Sequence, residues 1–407
     1  MLSELVEVEG HIIDSLILAK VLDVVLEAGA DYRLVDVEIG KTNTDPSRAR
    51  IEVTAADDAA LASLLAELQV HGANRVSSAD AELVPCMIDG VLPAGFYATT
   101  NLPTQVRVDR RWLDVENPEM DCALVVLDDP VVHTVPMHRV RMGDRVVVGN
   151  EGVRVQPLER PRGPSPFEFM ASEVSSEKPK DLLVAQVAQR VRDGRDAGGR
   201  VLVVCGPAVI HTGAGPHLAR LVREGIVDVL FAGNGFAAHD IEANVLGTSL
   251  GVNLIEGRAT EHGHSNHLRV INEVRRRGSI ANAVADGYLK SGVMHACVLR
   301  GVPFVLGGSV RDDGPLPDVI TEMVEAQRRM RAALHGVRIA LMLSTMLHSI
   351  ATGNMLPAGV RTVCVDINPA VVTKLADRGS WQSIGLVTDV ESFLRELALV
   401  VETGRHG

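Results

Sequence analysis

The sequence predicts an α/β protein: a six-stranded parallel sheet covered by helices on both faces, preceded by an α+β module and a small β-rich module. Three observations predict it. From about residue 200 onward, apolar strands alternate with helical segments, the pattern of a parallel sheet buried on both sides. The N-terminal stretch runs strand, helix, strand, strand, helix, strand, the order of a ferredoxin-like sandwich. Between them lie short β runs broken by Gly, Pro and Asp, such as TQVRVD, ALVVLD and DRVVVGNEGVRV, which read as a small antiparallel sheet or barrel.

Taken in order, a strand is expected near Leu5 to Val8, a helix from Ile13 to Ala28 and a strand from Tyr32 to Ile39. The loop GKTNTDPSR leads to a strand at Ala49 to Val53, a helix from Ala59 to Leu68 and extended chain near Glu82 to Cys86. Residues 1–94 form the ferredoxin-like domain, 95–165 the β-rich domain and linker, and 166–407 the parallel-sheet domain. The last boundary is set by the proline- and glycine-rich segment PLERPRGPSP. In the third domain the expected strands are Val201 to Cys205, Val227 to Ala232, Phe304 to Leu306, Ile339 to Leu343, Thr362 to Val365 and Ile384 to Val387. The crossover between Ala232 and Phe304 is too long for a bare loop. It is expected to carry specificity and to act as a cover over the sheet edge.

A net charge of −12 and an aromatic content of 3% argue against nucleic acid, which calls for a basic surface and stacking rings. Five cysteines stand far apart without a CxxC pair, as expected of reduced core thiols in a cytoplasmic protein. MLSELVEVEGHIID lacks the basic start of a signal peptide, and no apolar run reaches the roughly 20 residues that span a bilayer. A mean hydropathy of +0.15 points to apolar surface covered in a homo-oligomer.

The chemistry gathers where strands end. After the first parallel strand comes CGPAVIHTGAGPHLARLV, with Gly206, Pro207, Ala208, Thr212, Gly213 and Ala214 ahead of a helix. Glycines at such a turn let backbone approach a pyrophosphate, which also feels the helix N-terminus; without a ligand they make a turn. The second strand ends at Gly233 and Asn234, with Asp240 and Glu242 in the next helix; the third ends in Gly308 and Ser309, then Arg311, Asp312 and Asp313. Asp366 and Asn368 close a later strand, and Asp389 follows the last. A strand-end acid suits an adenosine ribose or caps the next helix. In EHGHSNHL, His264 and His267 stand at i, i+3 with Glu261 nearby. The readings are a metal pair, an active-site proton carrier or a solvated loop, and no metal is assigned. The loop from Lys41 to Asp45 is a hairpin connection or a substrate contact.

The chain resembles the archaeal-type ornithine cyclodeaminase family, which carries the label of the LOR/SDH conserved region and also forms the C-terminal part of a cyanobacterial arginine dihydrolase fusion. The resemblance rests on GHIIDS, IGKTNTDPSRA, GFYATTN, VENPEMDCA, FMASEVSSEKP, GPAVIHTGA, AGN, HDIE, GTSLG, GSVRDDGPLPDVITE and the stretch RTVCVDINPAVVTKLADRG, in that order. Gly235, Phe236 and Asn266 depart from the family's pattern. VDINPAVVTKL and LVTDVESFLREL resemble the last strands of a deoxyhypusine-synthase-like, Rossmann-like NAD-binding fold, which implies adenosine contacts from Asp366 and Asp389. The family implies conversion of L-ornithine to L-proline with loss of ammonia, using NAD that is reduced and reoxidised in each turnover. That chemistry implies Arg311 for the substrate carboxylate, Asp240 or Asp312 for its ammonium and His264 for the proton. The alternatives are a net NAD-dependent amino-acid dehydrogenase or imine reductase of saccharopine type, and a non-catalytic NAD-sensing protein.

Overall fold

The structure is a computed structural model that describes residues 2–13, 15–41, 45–76, 79–127, 131–156, 174–175, 180–249, 252–253, 266–312, 314–377 and 383–403. Its contacts divide the chain into two units, Met1–Ala171 with Asn354–Gly359, and Ser172–Gly353 with Val360–Gly407.

The first unit opens with a four-stranded antiparallel sheet in the order Asp31–Glu38, Ser47–Ala55, Leu2–Gly10, Asn74–Arg75. Ser47–Ala55 buries every second residue, the period a half-covered strand demands. Those residues meet Val21, Val25, Leu64 and Leu68 from the helices Ile17–Glu27 and Asp58–Val70. Asp57 starts the second helix by accepting Ala60 N–H at 2.9 Å. The opposite face is a charge ladder, with Arg50 Nε 2.7 Å from Glu7 Oε2.

The expected last strand is corrected. Glu82–Pro85 pairs with Arg145–Val148 in a separate seven-stranded sheet, and the first sheet ends instead in the two-residue strand Asn74–Arg75. The Asn74 side chain turns the chain outward, donating to Val155 O at 2.8 Å and accepting from Val155 N at 2.8 Å. The change from the first sheet to the second therefore falls before residue 82, not at residue 94. Nor does a single cut near residue 165 separate the units: Ala358 N–H donates to Asn101 O at 2.8 Å, tying Asn354–Gly359 back to the first.

The second unit holds an eight-stranded sheet with every pairing parallel. Its order is Val174–Ser175, Ser383–Val387, Arg361–Asp366, Val337–Leu343, Arg200–Cys205, Val229–Gly233, Phe304–Gly307, Val319–Ile320. All six expected strands are present, and two-residue strands extend both edges. Val201 to Cys205 are all buried, as a strand covered on both faces requires. The chain runs outward from Arg200–Cys205 in one direction and from Val337–Leu343 in the other. The topological switch point lies between these two neighbours, where ligands of open α/β sheets bind.

The described part of the long crossover is core. It folds into helices Asn234–Leu246, Asn266–Arg277, Ile280–Ala285 and Val293–Arg300, which send Phe236, Val270, Ile271, Val274, Val293 and Met294 into the core of this unit. Their apolar faces have no other place to bury, so the segment is part of the fold. Residues 254–265 lie outside the described residues. All five cysteines are buried and none forms a disulfide. Among the described residues no helix is long and apolar enough to cross a membrane.

Candidate active site

The switch point is bracketed by Gly206 and Ser344. Gly206 N–H donates to Leu343 O at 2.9 Å and Ser344 N–H to Val365 O at 2.9 Å. Ser344 adopts φ 50°, uncommon outside glycine, and its carbonyl oxygen fills the space where a Gly206 side chain would stand. Gly213 takes φ +85° with open space around it, the left-handed turn only glycine makes freely. It separates the short helix Ala208–His211, closed by Thr212 Oγ1 donating to Ala208 O at 2.9 Å, from the helix Gly215–Arg223. Pro207 is exposed and Ala214 buried. Neither Ala214 nor Gly233 caps its helix with a side chain. The helix Asn234–Leu246 thus starts at the carboxyl edge without a side-chain cap, which fits an anionic pyrophosphate, whereas at Gly215–Arg223 Pro216 has no N–H and His217 N–H already donates to Ala214 O at 3.1 Å.

Other glycines serve neighbours in the fold. A methyl on Gly233 would come within 3.1 Å of the His348 Cε1 atom, and one on Gly308 within 3.2 Å of Ile320 O. Gly233 therefore makes room for the His348 imidazole. Burial pushes that ring's pKa below the usual histidine value, with Asp312 opposing. Asn234 is buried, and its Oδ1 accepts Leu316 N–H at 3.0 Å, clasping two loops. Asp366 Oδ1 accepts Asn368 N–H at 2.8 Å, and Asn368 Oδ1 accepts Ala370 N–H at 3.0 Å to start the helix Pro369–Asp377. Asp389 accepts Glu391 N–H at 3.0 Å and Ser392 N–H at 3.1 Å. It caps the helix Val390–Thr403 through Oδ1.

The expected substrate residues fare unequally. Asp240 is 1% exposed, and its two oxygens accept Val293 N–H at 3.0 Å and Met294 N–H at 2.8 Å. Burial raises its carboxyl pKa to about 6 against the pull of those two N–H groups. With both oxygens engaged inside the core it clasps the start of helix Val293–Arg300, which corrects the expected ammonium contact. Asp312 Oδ2 accepts Ser309 N–H at 2.8 Å and closes its own turn. Arg311 is exposed, and its N–H donates to Ser309 Oγ at 3.2 Å. His264, Asp313 and residues 42–44 lie outside the described residues.

A second set of residues, not singled out from the sequence as catalytic, gathers beside the same edge. His239 and Glu242, at i, i+3 on Asn234–Leu246, meet with His239 Nδ1 2.8 Å from Glu242 Oε2. Thr248 Oγ1 donates to Glu242 Oε1 at 2.8 Å, and Asn266 Nδ2 donates to Thr248 Oγ1 at 3.0 Å. From the first turn His211 brings Nδ1 to 2.6 Å from Ser249 Oγ. The His211 and His239 rings lie edge to face at 4.7 Å, and His267 stands 5.9 Å beyond. Glu242 is fully buried. His211 is pushed down to about 4, first by burial and then by His239, with Glu242 opposing; it is neutral at physiological pH. No group of three or more His, Cys, Asp or Glu among the described residues stands as a metal site. A neutral imidazole, a carboxylate-bound imidazole and a hydroxyl relay can move protons without one. The signal was present in GPAVIHTGA, HDIE and GTSLG, but the three motifs meet only through the fold.

Three family models match along the chain. They are the LOR/SDH bifunctional enzyme conserved region over residues 3–102, the first region of the C-terminal part of ArgZ-like arginine dihydrolase over 103–184, and its Rossmann-fold region over 185–397. An ornithine cyclodeaminase of Methanopyrus kandleri is 52% identical over 97% of this chain and 96% of its own. The apo crystal structure of ArgZ, an arginine dihydrolase from the ornithine-ammonia cycle in cyanobacteria, matches 99% of this chain at 41% identity with a TM-score of 0.87; this chain spans 59% of that one. The ternary complex of AgrE with ornithine and NAD+ matches 100% of this chain and 58% of its own at 43% identity and a TM-score of 0.55.

Proposed function

The chain belongs to the ornithine cyclodeaminase family, and from that premise we propose that it converts L-ornithine to L-proline and ammonia at the carboxyl edge of its parallel sheet, with NAD as cofactor. The observation that carries this reading is a switch point with the uncapped start of helix Asn234–Leu246 beside a buried carboxylate–histidine cluster. NAD, when bound, takes a hydride from the substrate Cα and returns it to the cyclised product within one turnover. The helix start at Gly233 and Asn234 offers backbone N–H groups to the pyrophosphate, the turn from Gly206 to Ala214 offers close backbone approach, and Asp366 offers its carboxylate to the adenosine ribose. An acid there favours NAD over its 2′-phosphorylated form.

The remaining work falls to side chains. An ammonium group cannot attack carbon until it loses a proton, so the site needs a base near neutrality. His239, its Nδ1 held by the Glu242 carboxylate, is placed for that proton, while His211, pushed down to about 4, stays neutral beside it. Arg311 offers a guanidinium for the substrate carboxylate. Incubation of the purified protein with ornithine and NAD tests the reading: proline and ammonia should form with no net NADH. Stoichiometric NADH would identify an amino-acid dehydrogenase, and NAD binding without turnover a sensor.

A further inference from the structure

Resting on that reaction, we infer that His239 is the residue that borrows and returns the proton of the reacting amine, and that Glu242, Thr248 and Asn266 are positioning residues that decide which of its nitrogens works. The direction of each hydrogen bond follows from the outermost group. The Asn266 amide nitrogen can only donate, so Thr248 Oγ1 accepts from it at 3.0 Å and turns its own hydrogen to Glu242 Oε1 at 2.8 Å. The other oxygen of Glu242 stands 2.8 Å from His239 Nδ1. A carboxylate accepts, so Nδ1 carries the hydrogen and Nε2 is left with its lone pair. The His239 side chain keeps 11% of its surface open while Glu242 keeps none, so the ring is the member of the pair within reach of a ligand.

The surroundings limit the cluster to one extra proton. His239 faces Glu242 from its own helix, His211 from the turn after Arg200–Cys205 and His267 from the helix Asn266–Arg277. Asp240, next in the chain, is occupied by Val293 and Met294 N–H. One carboxylate among three imidazoles supports one imidazolium, since a second like charge at such distances is repelled. His211, fixed by Ser249 and pushed down to about 4, stays neutral beside it.

The step balances. An N–H bond of the attacking ammonium breaks and its proton goes to His239 Nε2; the freed electron pair forms the new bond to Cα as the Cα=N π bond breaks, its pair passing to the imine nitrogen, which takes the proton from His239. A second proton passes the same way from the ring nitrogen to that amino nitrogen; its bond to Cα then breaks, ammonia leaves, and the ring nitrogen's pair forms the cyclic C=N bond. Nothing is oxidised or reduced in this exchange, and His239 ends as it began.

The test uses the full-length protein with ornithine and NAD, measuring proline formation, NAD affinity and the pH profile of kcat/KM. His239→Ala should lose at least a hundredfold in kcat, the scale of a general base, keep its NAD affinity and regain activity with added imidazole. Glu242→Gln presents an amide N–H to Nδ1 and moves the hydrogen to Nε2. Its kcat should fall with KM little changed, and the acid limb of the profile should move about one unit to lower pH, because the charge that favours imidazolium is gone. A wild-type protein that makes no proline overturns the reaction and this inference together. An active wild type with an undiminished His239→Ala, or a Glu242→Gln whose acid limb stays in place, overturns the inference alone.

Discussion

The buried acid Asp240 makes folding stability depend on pH in a direction opposite to that of most carboxylates. Its pKa is about 6 in the fold against an ordinary 3.8, so between those values the folded state holds a proton that the unfolded chain has released. Stability contributed by this group is then present below the unfolded pKa and is lost as pH rises through the folded one. A shift of two units at about 1.4 kcal/mol each corresponds to about 3 kcal/mol. Asp240→Asn keeps the size and removes the ionisation. It also trades one acceptor for an amide N–H facing Val293 or Met294, a fixed cost of about 1–3 kcal/mol. The difference between variant and wild type should therefore carry a constant offset and move about 3 kcal/mol in the variant's favour from pH 4 to pH 7. Hydrogen exchange of peptides from the parallel sheet, read in urea at stepped pH without NAD, follows the second unit alone. A difference that stays flat with pH, or moves toward the wild type, would refute the argument that burial outweighs the two N–H groups.

Three further outcomes follow from the strand ends. Asp366→Ala should weaken NAD binding roughly tenfold or more by titration calorimetry, since a charge-assisted hydrogen bond is worth about 1.5–3 kcal/mol; an unchanged affinity would leave Asp366 with only the turn it closes on Asn368. Asp389→Ala should cost about 1 kcal/mol of stability, the worth of a helix cap, with NAD affinity unaltered, and a marked loss of affinity would restore Asp389 to the cofactor site. Gly206→Ala drives a methyl into the Ser344 carbonyl oxygen. It should destabilise the second unit by about 1–3 kcal/mol and weaken NAD binding, which thermal melts with and without NAD would register.

The parallel sheet was legible because its strands are continuous apolar runs ended by Gly, Ser or Asp, a pattern that needs no knowledge of neighbours. Pairing partners were less so. Glu82–Pro85 reads as a strand, yet which sheet takes it is settled by Asn74 anchoring on Val155, far along the chain. The two-residue edge strands Val174–Ser175 and Val319–Ile320 are too short to show any period. Gly206 and Gly233 were legible as turn glycines, but their occupants, the Ser344 carbonyl and the His348 ring, arrive from the loop and the helix Leu347–Met355 after a different strand. Sequence patterning reveals what an element is made of; these contacts depend on which loops the sheet order brings together.

The same limit explains why HDIE does not show in the sequence which of its two acids meets His239. Successive helical residues turn by about 100°, so His239 and Glu242 share a face while Asp240 points elsewhere. In a surface helix the apolar stripe would fix that phase. Asn234–Leu246 has no such stripe to read, because Phe236 through Glu242 are all buried. Its faces differ only in what they meet: the start of Val293–Arg300 on one side, His211 and Thr248 on the other. The crossover is therefore core for a functional reason as well. By burying Val270, Ile271 and Val274 it fixes the helix that carries Asn266, and through Thr248 that anchoring reaches Glu242 and the ring it orients.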